Sequence, residues 1–427
     1  MSKILIITYY WPPDAGAGVP RVVKFAKYLK RHGYDPIIIT SGKKSKIKDK
    51  SFISDTVGLR VLRTSNFIWE SGNGNNSSKS SSSKSNYYSV IKSRIRNFIR
   101  INFLIPDSKI FWFNKAIKLS SQVIKKNKID VIITTSPPYT VQLIGLKLKK
   151  KHKVNWISDF RDPWTEQVNY NIEYKNPLST KINEYLERKV LNNSDLIITV
   201  GEKLKDLLAQ KTETAIKVIH NGFDKEDFIS VSESRISSRF VVGYYGSMSK
   251  YQIPKSLIEF INNSKNLYPS LYKDILFRVA GKISPEAKVY LDQNIDSNKL
   301  EILGYIDHKK FISEITKEQI LLQLIPNQSG SEVIIGSKLY EYLNTDNPIL
   351  FLGDLNSEGS KLTACLKGDG TYSYSDKEGI STFLLKHYDY WKNNKGLNSS
   401  TKNVEFFSRE NLTKELINYL QKLKTDD

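Results

Sequence analysis

Along the first half of the chain, short unbroken apolar runs alternate with longer stretches in which apolar positions recur every three or four residues. The runs are KILIITY (3–9), PIIIT (36–40), VIITT (131–135), VNWIS (154–158), DLIITV (195–200) and KVIH (217–220). Strand-like runs separated by helical stretches predict a parallel sheet wrapped by helices. After the first run, Val22, Phe25, Ala26 and Leu29 follow the i, i+3, i+4, i+7 spacing of a helix, which Gly33 terminates. The turn signal HNGFD (220–224) closes this half. The cycle then restarts with RFVVGYYG (239–246), ILFRVAG (275–281), LEILGY (300–305), ILLQLIP (320–326) and PILFLG (348–353). The pattern predicts an α/β protein of two Rossmann-like doubly wound domains facing a cleft, residues 1–220 and 221–408. A closing helix follows over 409–427, with Leu412, Leu416, Leu420 and Leu423 on one stripe. Open sheets of this type bind ligands outside the carboxyl ends of their strands, which places the chemistry in the cleft.

A chain of 427 residues suits two domains, and 39% hydrophobic, 11% aromatic and 26% charged residues exclude collagen-like, coiled-coil and wholly disordered classes. The lone Cys365 has no internal disulfide partner and the five histidines lack zinc-ligand spacing, so a reducing cytoplasm, no metal and no cofactor are expected. The apolar start MSKILIITYY meets Pro12 and Pro13 too soon for a signal peptide or a spanning helix, and no other window reaches about 20 apolar residues. Membrane contact is expected to be peripheral only. Charge is uneven: residues 1–220 hold 39 Lys and Arg against 17 Asp and Glu, whereas 221–427 hold 26 against 27. The basic half either meets an anionic partner or carries a solubilising surface. Within it, 71–86 (SGNGNNSSKSSSSKSN) reads as a flexible Ser-rich insertion. In the following 86–107, Ile91, Ile95, Phe98, Ile99 and Phe103 recur near helical spacing among Lys92, Arg94, Arg96 and Arg100. Such a basic amphipathic helix lies in a lipid interface or packs on the core as an ordinary surface helix.

Three segments carry candidate chemistry. The loop WPPDAGAGVPR (11–21) follows a strand and opens a helix, with Gly16 and Gly18 allowing close approach of a ligand or simply shaping the turn. Arg21 stands where a dinucleotide fingerprint needs its third glycine, and no P-loop lysine follows, which argues against a nicotinamide or ATP site. In SEVIIGSKLYEYLNTDNPILF (331–351), Leu339, Tyr342 and Leu343 predict the buried stripe of a helix starting near Ser337, with Lys338 in its first turn. A cation there opposes the helix dipole, which makes sense as part of a diphosphate site, with Glu341 reaching ribose hydroxyls. The alternative is a solvated i,i+3 pair. In DFRDPW, Asp159, Arg161 and Asp162 follow a strand end, as a substrate contact or as a structural ion pair. The chain contains no Asp-x-Asp, the usual device for holding a metal on a leaving diphosphate.

Taken in order, YYWPPDAGAGVPRVVKFAKYL, SPPYTVQLIGLKLKKK (136–151), SDFRDPWTE (158–166), HNGFD and SKLYEYL resemble bacterial family-4 glycosyltransferases of the exopolysaccharide and O-antigen type. The resemblance implies the GT-B fold, metal-independent transfer with retention, and a sugar nucleotide held mainly by the second domain. It places Glu341 on the nucleotide ribose, beside Lys338, Ser337 and Gly330 of the donor loop. Ser247 stands where relatives carry an Arg, leaving Lys250 as the diphosphate candidate. Glu332 lies next to Val333, which occupies the first family glutamate's place, so its contact with the donor sugar is open. The SPP motif is followed by Tyr139 where many relatives have His. The resulting expectation is a reacting set of Lys338, Lys250 and Asp159. Glu341, Glu332, Ser337, Gly330, Ser247, Gly16 and Gly18 would hold the donor, and Arg161, Asp162, Tyr139 and Arg21 would line the acceptor side. Arg94, Arg96, Phe98 and Arg100 would meet an anionic membrane. The implied reaction moves a sugar from a UDP- or GDP-sugar to a lipid-linked saccharide on the inner face of the plasma membrane. A sugar-nucleotide epimerase or phosphorylase of the same fold, or a basic nucleic-acid-binding scaffold, would be the alternatives. No RNA-binding module is visible, so no nucleic-acid partner is expected.

Overall fold

The computed structural model describes residues 2–16, 18–42, 47–64, 97–166, 176–229, 237–368, 370–394 and 403–425. Expectations for the Ser-rich insertion and for Arg94 and Arg96 lie outside the described residues. The first sheet contains β1 (Ser2–Ile7), β2 (Tyr34–Thr40), β3 (Arg60–Arg63), β4 (Val131–Ser136), β5 (Asn155–Phe160), β6 (Leu196–Thr199) and β7 (Ile216–Val218). Its order is β3-β2-β1-β4-β5-β6-β7. The second contains β8 (Phe240–Tyr245), β9 (Ile275–Ala280), β10 (Leu300–Gly304), β11 (Ile320–Leu324), β12 (Ile349–Leu352) and β13 (Thr371–Tyr372), ordered β10-β9-β8-β11-β12-β13. All neighbours in both sheets are parallel. Each is a doubly wound Rossmann-like sheet whose order reverses beside its first strand, at β1/β4 and β8/β11, the places where such sheets open a ligand crevice.

Strand alternation divides the cores. Ile4 and Ile6 of β1 pack on one face with Val22, Val23 and Ala26 of the helix Val19–Arg31, while Leu5 and Ile7 join Ala116, Val123 and Ile144 on the other. In the second domain Phe240, Val242 and Tyr244 face Leu257 and Ile261, and Tyr245 and Leu321 face Phe311, Leu339 and Tyr342. Burial on both faces explains why these strands read as unbroken apolar runs. The edge strands β3 and β13 lack such a run.

The chain crosses between the domains twice. At the crossing, the Phe223 N–H donates to the Phe407 carbonyl (3.2 Å) and the Arg409 N–H to the Phe223 carbonyl (2.8 Å). The closing helix Arg409–Thr425 then lies on the first domain, where Leu412, Leu416 and Leu420 share a core with Ile4 and Ile6.

The helix Val19–Arg31 turns a row of cations toward this crossing. Lys24 Nζ lies 2.8 Å from Asp55, 2.7 Å from Asp224 and 2.8 Å from Asp227. Lys27 Nζ meets Asp55 and Asp224 at 2.8 Å and Glu226 at 2.9 Å, and Arg31 pairs with Glu226. Part of the first half's positive charge is thus neutralised inside the molecule, by carboxylates of both halves.

Candidate active site

The carboxyl ends of the two sheets face each other. Beyond β2, the Asp49 carboxylate accepts from the His308 N–H (3.0 Å) and Tyr305 hydroxyl (3.3 Å), and Ser51 Oγ accepts from the Lys309 N–H (3.1 Å). Beyond β6, Glu358 of the second domain accepts from the Lys203 N–H (3.2 Å), and His220 at the crossing lies 3.3 Å from the Tyr340 hydroxyl.

The segment after β11 builds the core of the site. Gly336 has φ +85°, and a Cβ there would stand 2.5 Å from Gln323 Nε2, so the chain passes closely over β11 before entering the helix Leu339–Leu343. This helix is shorter than the sequence predicts: Lys338 is its N-cap and Ser337 precedes it, both half-buried. Leu339, Tyr342 and Leu343 are fully buried anchors. The Lys338 ammonium lies 4.1 Å from the Phe311 ring centroid, and no carboxylate comes within salt-bridge distance of it among the described residues. Burial lowers its pKa against the opposing pull of Glu341 and of Asp49 from the first domain. Glu341 is 8% exposed and its Oε2 has no hydrogen-bond partner. Burial raises its carboxyl pKa, with His308, Arg409 and Lys338 pulling it down. Leaving a buried carboxylate oxygen unsatisfied costs about 1–3 kcal/mol or more, so the atom is available to a ligand's hydroxyl groups.

The loops after β8 and β11 are tied together at the same end of the sheet. The Asn327 N–H donates to the Tyr251 carbonyl (2.9 Å), and Gln252 Nε2 to the Leu324 carbonyl (3.1 Å). Exposed Ser247 and Lys250 therefore share this end of the sheet with the loop that carries Gly330 and Glu332; the Lys250 ammonium rests 4.9 Å from the Tyr251 ring centroid. Gly330 is left-handed at φ +82° and opens the short turn Ser331–Val333 that carries half-buried Glu332.

In the first domain the structure redistributes the expected roles. Asp159 and Arg21 are each 1% exposed and joined by two hydrogen bonds of 2.9 and 3.0 Å, while Thr135 donates to Asp159 at 2.8 Å. Arg21 also donates to the Ile219 and His220 carbonyls at 2.8 and 2.9 Å. Both are therefore framework residues securing the crossing, and neither Asp159 as a reacting group nor Arg21 as an acceptor contact is available. Tyr139 is likewise buried, stacked on Trp164 with its hydroxyl donating 2.6 Å to the Pro163 carbonyl. Gly18 does not hold a ligand gap open, because a Cβ there would stand 1.5 Å from Arg161 Nη1. Arg161 bonds to the Ser136 and Pro137 carbonyls at 3.0 and 2.7 Å and has no carboxylate in ion-pair contact among the described residues. It lies at the strand ends beside exposed Asp162, while exposed Gly16 has no heavy atom within 4 Å of where a Cβ would stand.

Sequence reasoning missed Phe311, His308, Asp49 and Arg409, all of which surround the Lys338–Glu341 helix. Arg409 carried a readable signal, a buried-stripe helix opening on a cation against its dipole, the same reasoning applied to Lys338.

Residues 18–227 match Glycosyltransferase Family 4. No curated protein matches the sequence. Among solved structures, a sucrose-phosphate synthase from Thermosynechococcus elongatus is similar with a TM-score of 0.66 at 12% identity, covering 100% of both chains. A UDP-forming α,α-trehalose-phosphate synthase from Burkholderia xenovorans, in complex with glucose-6-phosphate, reaches 0.60 at 11% identity, covering 99% of this chain and 100% of its own. The lipopolysaccharide outer core galactosyltransferase WaaB, in its apo form, reaches 0.54 at 12% identity, covering 99% of each. At these identities the likeness is one of fold, two Rossmann-like domains in the GT-B arrangement. The family match covers just under half of the chain, over the first domain and the start of the crossing.

Proposed function

We propose that the protein transfers a glycosyl group, with retention and without a metal, from a UDP- or GDP-sugar to a lipid-linked saccharide at the cytoplasmic face of a membrane, in surface polysaccharide synthesis. The observation that carries this reading is the juxtaposition of Lys338, a cation with no ion-pair partner among the described residues, and Glu341, a buried carboxylate with an unmet oxygen, on one short helix facing the other domain. In this reading Glu341 accepts from the ribose hydroxyls, while Lys338 and Lys250 oppose the charge that develops on the leaving diphosphate. The acceptor oxygen bonds to the anomeric carbon on the face the diphosphate leaves, and its proton passes to the departing phosphate. Arg161 meets the acceptor side. The fold likeness to a UDP-forming synthase and to a lipopolysaccharide galactosyltransferase supports a sugar nucleotide as donor.

The first domain supports a membrane face. Asn102, in the helix over 97–102, accepts from the Asn176 N–H (2.7 Å) and Ser179 hydroxyl (2.8 Å), which sets that helix against Pro177–Leu191. Phe98, Phe103, Leu178, Ile182 and Tyr185 are exposed there, with Arg100 and Lys181 among them, and Leu178, Ile182 and Tyr185 follow one helical stripe. No helix among the described residues is long and apolar enough to cross a membrane.

Two measurements test the reading. Calorimetric titration and hydrolysis of UDP- and GDP-sugars should show a preferred donor, with Lys338→Ala and Glu341→Ala each losing about 1.5–3 kcal/mol, roughly tenfold to a hundredfold. Variants that bind and hydrolyse like the wild type would remove the donor site. Co-sedimentation with anionic vesicles should fall with salt and with Arg100→Glu or Leu178→Ser/Tyr185→Ser, each lost cation costing about 1 kcal/mol. Unchanged sedimentation would remove the membrane face.

A further inference from the structure

The first turn of the closing helix holds a cation that the proposed reaction does not use. Arg409 is 3% exposed, its Nη1 has no hydrogen-bond partner, and no carboxylate lies in ion-pair contact with it among the described residues. Its backbone is pinned: the N–H donates to the Phe223 carbonyl (2.8 Å), and its carbonyl accepts from the Thr413 hydroxyl (2.7 Å). A buried guanidinium at the N-terminal end of a helix is opposed both by desolvation and by the dipole, so it requires a compensating anion nearby. The charged and polar groups that act on it electrostatically are Glu341 first, then the cation Arg21 of the helix Val19–Arg31, Asp224 of the crossing and Tyr340 of the helix Leu339–Leu343. Arg21 is committed to Asp159, and Asp224 to Lys24, Lys27 and Tyr28. Glu341 is the carboxylate left over, and it carries the matching deficit, a buried Oε2 without a partner. The two segments are in contact, since the Tyr340 and Phe407 rings pack edge to face with centroids 5.0 Å apart.

We infer that Arg409 is a positioning residue for the donor site, holding Glu341 in its charged form against burial so that the carboxylate can accept from the donor's ribose hydroxyls. The inference rests on the donor reading above. The cationic pull on Glu341 comes from His308 of the helix His308–Ile315, then from Arg409 of the closing helix and from Lys338 of its own segment. Burial lowers the Arg409 pKa to about 10, which leaves it cationic at neutral pH. His308 donates to or accepts from Asp227 at 3.1 Å, and Lys338 stands over Phe311, so Arg409 is the deeply buried permanent charge of the three. Because the closing helix rests on the first domain, the grip on a donor held by the second domain depends on the docking of the two.

The test is the pH dependence of donor affinity, by calorimetry from about pH 5.5 to 9. The probe is whichever of UDP-glucose and GDP-mannose the wild type binds better, both lacking a phosphate that titrates in that range. Wild-type affinity should decline on the acid side as Glu341 takes up a proton. Arg409→Gln should move that decline upward by at least about one pH unit, the effect of one nearby cation on a buried carboxylate. Arg409→Lys should restore most of the wild-type profile. Glu341→Gln should abolish the decline, and adding Arg409→Gln to it should change the profile no further. Arg409→Gln with an unmoved profile, or with affinity lowered equally at every pH, overturns the inference. Glu341→Gln that binds with the wild-type profile overturns the donor reading itself. If Arg409→Gln alone folds poorly, the double variant decides: recovered thermal stability supports the pairing, and an equal or larger loss overturns it.

Discussion

Gly18 and Arg161 compete for one volume. The position where a Gly18 side chain would begin is 1.5 Å from Arg161 Nη1, and the guanidinium is tethered by two carbonyls, so its retreat would strain or break those bonds. Gly18→Ala should therefore displace Arg161, destabilising the protein by about 1–3 kcal/mol as overpacking does. Turnover should fall at least about tenfold while donor affinity, which depends on the other domain, stays unchanged; thermal melts and initial rates at saturating donor check both. The same neighbourhood shows why the sequence misleads at this scale. DFRDPW sets Arg161 between two carboxylates, inviting a local ion pair. Asp159 lies within β5 and turns to Arg21, 138 positions away in the chain, whereas Arg161 lies just past the strand end and bonds to main-chain oxygens instead. Partner choice of this kind is set by the fold and leaves no trace in local spacing.

Among elements, the helix Val19–Arg31 does more than cover the first sheet. Its apolar stripe was legible as a core face, whereas the partners of its lysines were not. In the folded protein Lys24 and Lys27 are 1% and 8% exposed and converge on Asp224, the last residue of the HNGFD turn. Burial alone would raise the Asp224 pKa, but Lys24, Lys27 and Tyr28 outweigh it and hold the carboxyl well below its usual range. A group depressed in this way contributes stability that is fully present above the unfolded carboxyl range near pH 4 and fades as pH falls below it. Asp224→Asn should cost about 3–5 kcal/mol at neutral pH, the range for breaking a buried pair, and the gap between variant and wild type should narrow as denaturant melts are taken below about pH 4. The strands were the most legible elements, because parallel strands buried on both faces need unbroken apolar runs such as PIIIT and VIITT. β3 and β13 escaped because neither carries an apolar run: β3, with the sequence RVLR, flanks two half-buried residues with exposed arginines, and β13 has only two residues. The donor helix was legible through Leu339, Tyr342 and Leu343, but its shortness was not, since its start is set by the turn at Gly336.

At the scale of the whole molecule, the two domains are held by interlocking chain rather than by one linker. The segment at 219–224 and the return at 404–409 hydrogen-bond to each other beneath the donor helix, and the closing helix inserts Leu416, which has no exposed surface, into the first domain's core. Leu416→Ala should cost about 2–5 kcal/mol, as large-to-small core changes do, and calorimetry should show the loss as earlier melting of the first domain although the substitution lies near residue 420. The fold class was readable from the repeated pattern of strands, whereas this exchange was not, because a leucine stripe states that a helix is covered without saying by what. The exchange also bears on how the protein is made. The half that leaves the ribosome first lacks one wall of its interior until residues 409–425 have been synthesised, so a nascent chain arrested near residue 400 should remain open to protease within its first 220 residues and become resistant only on release.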